Sequence, residues 1–555
     1  MISGLVKRNT YQDSVNLMLL STKLTEMEGV RKVSIMMGTP ANKDIFRNTG
    51  MYSAEFDLAN PNDICISVDT DSPDMLKSIS EKLEEFISDL SSKSSATQLK
   101  KAKSLKGALK KIEDPNLALV SIPGEYVFDE GKKLLNENMN LFIFSDNMDF
   151  CEEKELKELA RDKGLIVMGP DCGTGIISGV PLAFANVVNK GNIGIVGASG
   201  TGIQEVSSII SRLGGGISHA MGIGGRDLSE EIGGISAKIA LDYLANDKGT
   251  EVIVFISKPP AEAVKNSIVE KLKVIGKTAV ALFLGEEEKG PEDNLHYAAT
   301  LEDTANLAFY LSRKKSVYKG RVKELEERLY LIRLNQRQKS VHGYYGGGTL
   351  AGEAKLILKK HINKPGCKII DFGDDEYTKG RPHPMIDPGT RIDAIKGLKD
   401  NGEVAVVIFD NVIGYGSSTD MAGSLGPHIK EVLEYKRKNG RDIIFIASVC
   451  GTEDDVQVYS KQVEELEKAG VTVMSTNAQC AKLAHEIMEY LDGDWKHEES
   501  YSGLLGEDLR VINVGLESFG KTLYELDVNL VQYNWTPTAG GNKDLQRMLQ
   551  KLENI

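Results

Sequence analysis

Residues 191–214 read GNIGIVGASGTGIQEVSSIISRLG. An apolar run stops at Gly197, small residues follow, and an amphipathic stretch begins near Gly200. Strand, tight turn and helix in that order are the building step of a parallel α/β fold, whose ligands gather at the carboxyl ends of the strands. The turn GASGTGIQE, Gly197–Glu205, has neither the Gly-Lys-Ser/Thr of a P-loop nor the GxGxxG of a dinucleotide fold. Its chemistry is more general. The first N–H groups of a helix lack intrahelical partners and the helix dipole adds to them, so the turn is expected to hold phosphate or another small anion. Ser199, Gly200 and Thr201 are the expected ligands; the plainer alternative is that Ser199 or Thr201 only caps the helix.

A second turn of this kind is GYYGGGTLAGE, Gly343–Glu353. Three successive glycines cost chain entropy and suit a place where a ligand or a facing domain comes close to the backbone. Gly347, Gly348 and Thr349 are the second set of expected anion ligands, with a duplicated element that has lost its ligand as the alternative. The surroundings repeat too. Gly-Thr-x-x-x-Glu recurs at Gly200–Glu205 and Gly348–Glu353, EVIVFIS is echoed by EVAVVIFD, and DTANLAFYL by QCAKLAHEIM, all in one order. Parallel order of this kind predicts a duplicated domain.

Working outward, residues 1–95 read as a small α+β domain and 105–190 as a βαβ, Rossmann-like domain. Residues 191–312 and 341–491 read as the two copies, each a flavodoxin-like parallel α/β unit. Residues 505–555 read as a C-terminal segment for binding a partner. The fold class is therefore multi-domain α/β, with parallel sheets covered by helices on both faces and a small N-terminal α+β domain. A Ser/Lys-rich stretch after residue 90 and a basic connector near 312–340 read as linkers.

Composition narrows the function classes. The chain has 555 residues, enough for roughly three to five domains. Its net charge of -13 excludes the basic face that nucleic acid demands. The absence of a long apolar run and of a signal-like N-terminus predicts a cytoplasmic protein with no membrane partner. Six scattered cysteines without CxxC predict neither a disulfide frame nor a zinc site.

Three other stretches carry candidate chemistry. DFGDDEYTKGRPHPMIDPGTR, Asp371–Arg391, packs titratable groups into a loop punctuated by proline and glycine. Long loops rich in such groups are more often functional than structural, with an outward salt-bridged loop as the alternative. Arg381 suits a carboxylate or phosphate. GIGGRDL, Gly222–Leu228, places Arg226 just beyond a strand end, facing the anion turns or else paired with Asp227. In GPDCGTG, Gly169–Gly175, Cys172 has no evident partner and reads as an inert small apolar residue.

In this order and spacing, GPDCGTG, GNIGIVGASGTGIQE and GIGGRDL resemble the α subunit of succinyl-CoA synthetase and related NDP-forming acyl-CoA synthetases, over about residues 105–312. With QDSVNLM, SIMMGTPANK, GRPHPMIDP and VINVGLESF the resemblance spans nearly the whole chain and is similar to the FdrA family. Synthetases of this kind carry a phosphohistidine held by glutamates. Here Lys258, in Ser257-Lys258-Pro259-Pro260, stands where a glutamate is expected, and His296-Tyr297-Ala298-Ala299 replaces His-Ala-Gly-Ala.

The FdrA resemblance implies a carbamoyltransferase subunit acting in allantoin and purine degradation: oxalurate and phosphate give oxamate and carbamoyl phosphate. It implies a hetero-oligomer with two further subunits. Phosphate and carbamoyl phosphate enter as substrates, no metal is expected, and CoA or a nucleotide is not expected. On this reading Ser199, Gly200 and Thr201 bind phosphate, with Gly347, Gly348, Thr349 and Arg226 as further anion ligands. Arg381 clamps the oxalyl carboxylate, His383 donates a proton to the leaving nitrogen, and Asp374 is the third catalytic candidate. The alternatives are an NDP-forming acyl-CoA synthetase using His296 as phosphoryl carrier, and a non-catalytic scaffold that binds an anion or nucleotide.

Overall fold

The structure is a computed structural model that describes residues 2–10, 12, 14–25, 27, 29–70, 78–85, 100–286, 289–313, 338–378, 381–493, 510–514, 516–526 and 528–533. Most of the expected linkers, and the helix expected at the end of the tail, lie outside the described residues. Two compact units form: Met1–Ser316 with Leu329–Trp495, and Val317–Arg328 with Lys496–Ile555.

The first unit opens with β1 (Ile2–Lys7), β2 (Val30–Met37) and β3 (Ile64–Thr70), in the order β1-β3-β2 with both pairings antiparallel. β1 was not expected, because ISGLVK is exposed or only half-buried along its length and shows no clean alternation. Then β4 (Leu117–Val120), β5 (Asn140–Ile143) and β6 (Val167–Met168) form a three-stranded parallel sheet. Helices Gly124–Asn136 and Phe150–Asp162 connect its strands.

Two larger sheets follow. One contains β9 (Lys190–Gly197), β10 (Ile217–Gly222), β11 (Val252–Ser257), β12 (Thr278–Phe283) and β13 (Leu295–Tyr297). The other contains β14 (Ser340–Tyr345), β15 (Lys368–Asp371), β16 (Val404–Val412), β17 (Ile444–Cys450) and β18 (Thr472–Met474). Their orders, β13-β12-β11-β9-β10 and β18-β17-β16-β14-β15, are the same order read in equivalent strands, and all these pairings are parallel. The expected duplication is thus visible in the topology. Both copies have the doubly wound order 2-1-3-4-5, whose switch point lies between the first and third strands. Both glycine turns leave the first strand at that point. The central strands β11, β14, β16 and β17 are buried at every residue, as parallel strands covered on both faces must be.

The boundary near 190 falls elsewhere than the sequence suggests. A hairpin, β7 (Thr174–Ile177) with β8 (Val180–Ala183), joins the edge strand β10 of the first copy and extends that sheet to seven strands. A β-hairpin adds to an open edge through main-chain bonds, so its hydrophobic pattern alone does not say which sheet receives it.

The two copies are locked by a reciprocal exchange of helix caps. Glu205, on helix Gly200–Arg212, accepts a bond from Asn477 N, at the start of helix Asn477–Asp492 in the second copy, at 3.1 Å. Glu353, on helix Gly348–Ile357, accepts from Leu301 N, at the start of helix Leu301–Ser312 in the first copy, at 2.8 Å. Each glutamate thus satisfies an orphan donor where the helix dipole favours negative charge. Asn477 Nδ2 also donates to Glu353 at 2.7 Å. The glutamate of the repeated Gly-Thr-x-x-x-Glu is therefore an inter-copy clamp. A second contact adds to it: Asp455 accepts from Asn186 Nδ2 at 2.8 Å and from Val187 N at 2.7 Å.

The second unit shows β19 (Arg510–Val514), helix Glu517–Glu525 and β20 (Asn529–Tyr533), a parallel strand pair with a crossover helix. Among the described residues no helix is long and apolar enough to cross a membrane.

Candidate functional site

The N-termini of helices Gly200–Arg212 and Gly348–Ile357 meet. Ser199, the N-cap of the first, accepts from Gly202 N at 2.9 Å, and its Oγ lies 2.5 Å from Thr349 Oγ1 in the first turn of the other. Glycine is needed at this junction. A Cβ on Gly347 would stand 3.0 Å from both Thr201 Cγ2 and Asp410 Oδ2, and one on Gly348 would stand 2.5 Å from Asp371 Oδ2. Sequence reading did not say whether the two turns meet; the fold sets Ser199 against Thr349 and Thr201 beside Gly347.

The two turns differ in charge. In the second, Gly346 N and Gly347 N donate to the carboxylate of the buried Asp410 at 2.8 and 2.7 Å. Asp410 is itself paired with the buried Arg391, whose Nη2 also donates to the Asp410 carbonyl. The second turn thus carries its own anion. In the first turn, Gly200 N and Thr201 N have no hydrogen-bond partner among the described residues, because Ser199 caps only Gly202. Two buried hydroxyls nearby, Thr174 Oγ1 and Ser257 Oγ, also lack partners. Thr174 Oγ1 lies 3.1 Å from where a Gly200 Cβ would stand.

Lys258 follows β11 at this junction, with its Nζ 3.8 Å from the Cβ position of Gly348. Burial first, then Asp146 and Asp375, push the Asp171 carboxyl up to about 6, while Lys258 and Arg226 oppose the rise. Burial also raises Asp371, with Asp410 and Asp374 adding and the Gly373 N–H and Lys258 opposing. Lys258 is thus an exposed cation among several carboxylates, next to the second turn at Gly348.

The remaining expected residues divide. His383 is buried enough that desolvation, aided by Arg391, lowers its pKa to about 4. Its Nδ1 accepts from Met385 N at 3.3 Å, so near neutral pH it is an uncharged imidazole and not the proton donor expected of it. Asp374 is exposed and accepts from Glu376 N at 3.1 Å at the start of the single-turn helix Asp375–Thr378. Arg381 is exposed on the same loop. Arg226 is committed elsewhere: it pairs with Glu153 at 2.9 Å, donates to Met148 O at 2.8 Å and stacks on Phe150. Nor does it pair with Asp227, which accepts from Lys157 and caps helix Ile235–Asn246 through Ser236 N and Ala237 N. Cys172 is buried, and desolvation pushes its thiol up to about 12, so it is unreactive.

His296 lies within β13, not in a loop. β13 is three strands from β9, which at normal strand spacing is about 14 Å. Sequence reasoning missed Asp410, Asp371, Asp171 and Thr174. One signal was available: in EVAVVIFD, the second copy's match to EVIVFIS, the apolar run ends on the acidic Asp410.

Comparison with known proteins gives the setting. A family profile described as CoA binding domain matches residues 188–285, one described as CoA-ligase matches 344–487, and one described as AllF, heavy metal-associated domain, matches 1–104. Residues 1–104 do not fit a heavy-metal site: Cys65 is their one cysteine, it is buried on β3 with its thiol pushed up to about 11, and among the described residues no three ligand side chains converge there. The chain is 37% identical over 515 residues to the uncharacterized protein YahF of Escherichia coli (strain K12), covering 87% of this chain and 98% of YahF. It is 24% identical over 153 residues to the succinate–CoA ligase [ADP-forming] subunit alpha of Methanothermobacter thermautotrophicus, covering 27% of this chain and 51% of that subunit. The dinucleotide forming acetyl-coenzyme A synthetase 1 of Ca. Korarchaeum cryptofilum superposes with a TM-score of 0.32 at 15% identity, over 72% of this chain and 90% of that one, which is too loose a likeness to bear on function. The CoA-binding and CoA-ligase matches overturn the expected carbamoyltransferase: they point to an acyl-CoA synthetase-like protein. The chain belongs to the family of YahF, within the superfamily of the succinyl-CoA synthetase α subunit.

Proposed function

We propose that the chain is a subunit of an NDP-forming acyl-CoA synthetase in which the phosphoryl group in transit is bound as a free anion, not carried on His296. The observation that supports this most is the meeting of two helix N-termini through Ser199 and Thr349, with free N–H groups at Gly200 and Thr201 and with Lys258 next to Gly348. Lys258, where a phosphohistidine-holding glutamate is expected, suits a free phosphate or acyl phosphate. In the step this site would serve, the CoA thiolate attacks the acyl carbon of an acyl phosphate. The C–S bond forms, the C–O bond to phosphorus breaks, and the departing phosphate remains on the two helix N-termini, which stabilise the charge it gains. A nucleotide-binding partner subunit would supply the acyl phosphate. Finer placement in the FdrA group rests on the motifs QDSVNLM, SIMMGTPANK, GRPHPMIDP and VINVGLESF.

Calorimetric titration of the full chain with CoA and with inorganic phosphate tests the reading. Both are expected to bind, and Ser199→Ala with Thr349→Ala is expected to weaken phosphate at least tenfold. Failure of CoA to bind overturns the synthetase reading. Acid-labile label from γ-labelled ATP, appearing on this chain with its partner and lost in His296→Ala, would restore the phosphohistidine route.

A further inference from the structure

A cluster of metal-ligating side chains lies away from the helix junction. His485 and Glu489 stand one turn apart on helix Asn477–Asp492, and His361 faces them from the short helix Lys359–Ile362. One ligand atom from each of the three lies within 4.8 Å of the others. We propose that His361, His485 and Glu489 form a binding site for a first-row divalent transition metal of the Zn(II) or Co(II) type.

The spacing is the first argument. Two ligands on a tetrahedral ion with bonds of about 2.05 Å stand about 3.3 Å apart. His361 Nε2 is 3.1 Å from His485 Nδ1 and 3.1 Å from Glu489 Oε1. Two of the three ligand–ligand distances therefore already match such a tetrahedron, the third lies within 4.8 Å, and His485 and Glu489 are half-buried.

The donor set is the second argument. Two imidazoles and one carboxylate suit a borderline ion over calcium or magnesium, which take oxygen ligands. The third argument is the support behind the ligands. Asp492, one further turn along the same helix face, places Oδ2 3.5 Å from His361 Nδ1, the nitrogen turned away from the cluster. Lys364 Nζ stands nearer to that nitrogen, at 3.3 Å; when an ion takes Nε2, the outer N–H turns to Asp492, the carboxylate support that orients a ligating histidine. Lys364 pairs with Asp492, and Lys360 contacts Glu489 at 2.8 Å to Oε1 and 2.9 Å to Oε2. On metal binding Lys360 keeps Oε2 while Oε1 turns to the ion. His361 follows Gly348 by 13 residues, about 20 Å at helical rise, so the site is separate from the junction but built on the same stretch of chain.

The test uses the untagged full-length chain, stripped with chelator and titrated with Co(II). One equivalent is expected to produce the visible absorption bands of a tetrahedral ion, and Zn(II) is expected to abolish them. His485→Asn and Glu489→Gln are each expected to remove the bands while leaving the far-ultraviolet circular dichroism unchanged. Asp492→Asn is expected to weaken Co(II) by about 10- to 100-fold. Absence of bands at one equivalent overturns the proposal, and so does their persistence in both ligand variants. Because His361→Asn removes a buried side chain, the two half-buried variants carry the decision.

Discussion

Glu353 makes the clamp between the two copies a titrating element. Burial raises its carboxyl to about 7, with Glu205 and Glu302 adding and the Leu301 N–H and Asn477 amide opposing. In the unfolded chain the same group titrates near 4.5. Between those values the folded protein keeps the proton and the unfolded chain releases it. The group therefore contributes stability that is full below about pH 4.5 and is lost as pH rises through about 7. Integrating that difference from pH 5 to pH 8 gives a loss of about 2–3 kcal/mol attributable to this side chain. Glu353→Gln keeps the acceptor for Leu301 N and nearly the same volume, but does not titrate. Urea unfolding of both proteins across pH 5 to 8 is the assay. The wild type is expected to lose about 2–3 kcal/mol relative to the variant between pH 5 and pH 8. Two parallel stability curves, separated by a constant amount, would refute the assignment of a raised pKa to Glu353.

Three further outcomes follow from the junction. Arg391→Met leaves the buried Asp410 charge without its partner and is expected to cost about 3–5 kcal/mol, read by chemical denaturation. Lys258→Ala is expected to weaken phosphate binding about fivefold, since an exposed cation contributes roughly 1 kcal/mol to such a contact, and to raise Asp171 further above about 6 in a carboxyl NMR titration. Gly347→Ala places a methyl 3.0 Å from both Thr201 and Asp410, and is expected to abolish phosphate binding in calorimetry while leaving β14 and β16 paired, as read by amide hydrogen exchange.

The amino-acid sequence by itself determined the fold class, the duplication and the two glycine turns. These are local or repeated properties: apolar runs such as VIVFIS and VAVVIFDNV specify buried parallel strands, and Ser199 with Gly200 specifies a helix start whatever surrounds it. Only the tertiary structure decided what the turns are for. Ser199 and Thr349 are 150 residues apart, and nothing local says that their helices meet end to end. Asp410 reads as the polar end of a strand until the fold places it under Gly346 and Gly347, where it supplies the second turn with an internal anion. The repeated glutamates are only marks of the duplication in sequence; the structure makes them caps on each other's copies. Arg226 and His383 went the same way, since long-range partners and burial fix an ionisable group's charge and reach, and neither is carried by the residues next to it in the chain.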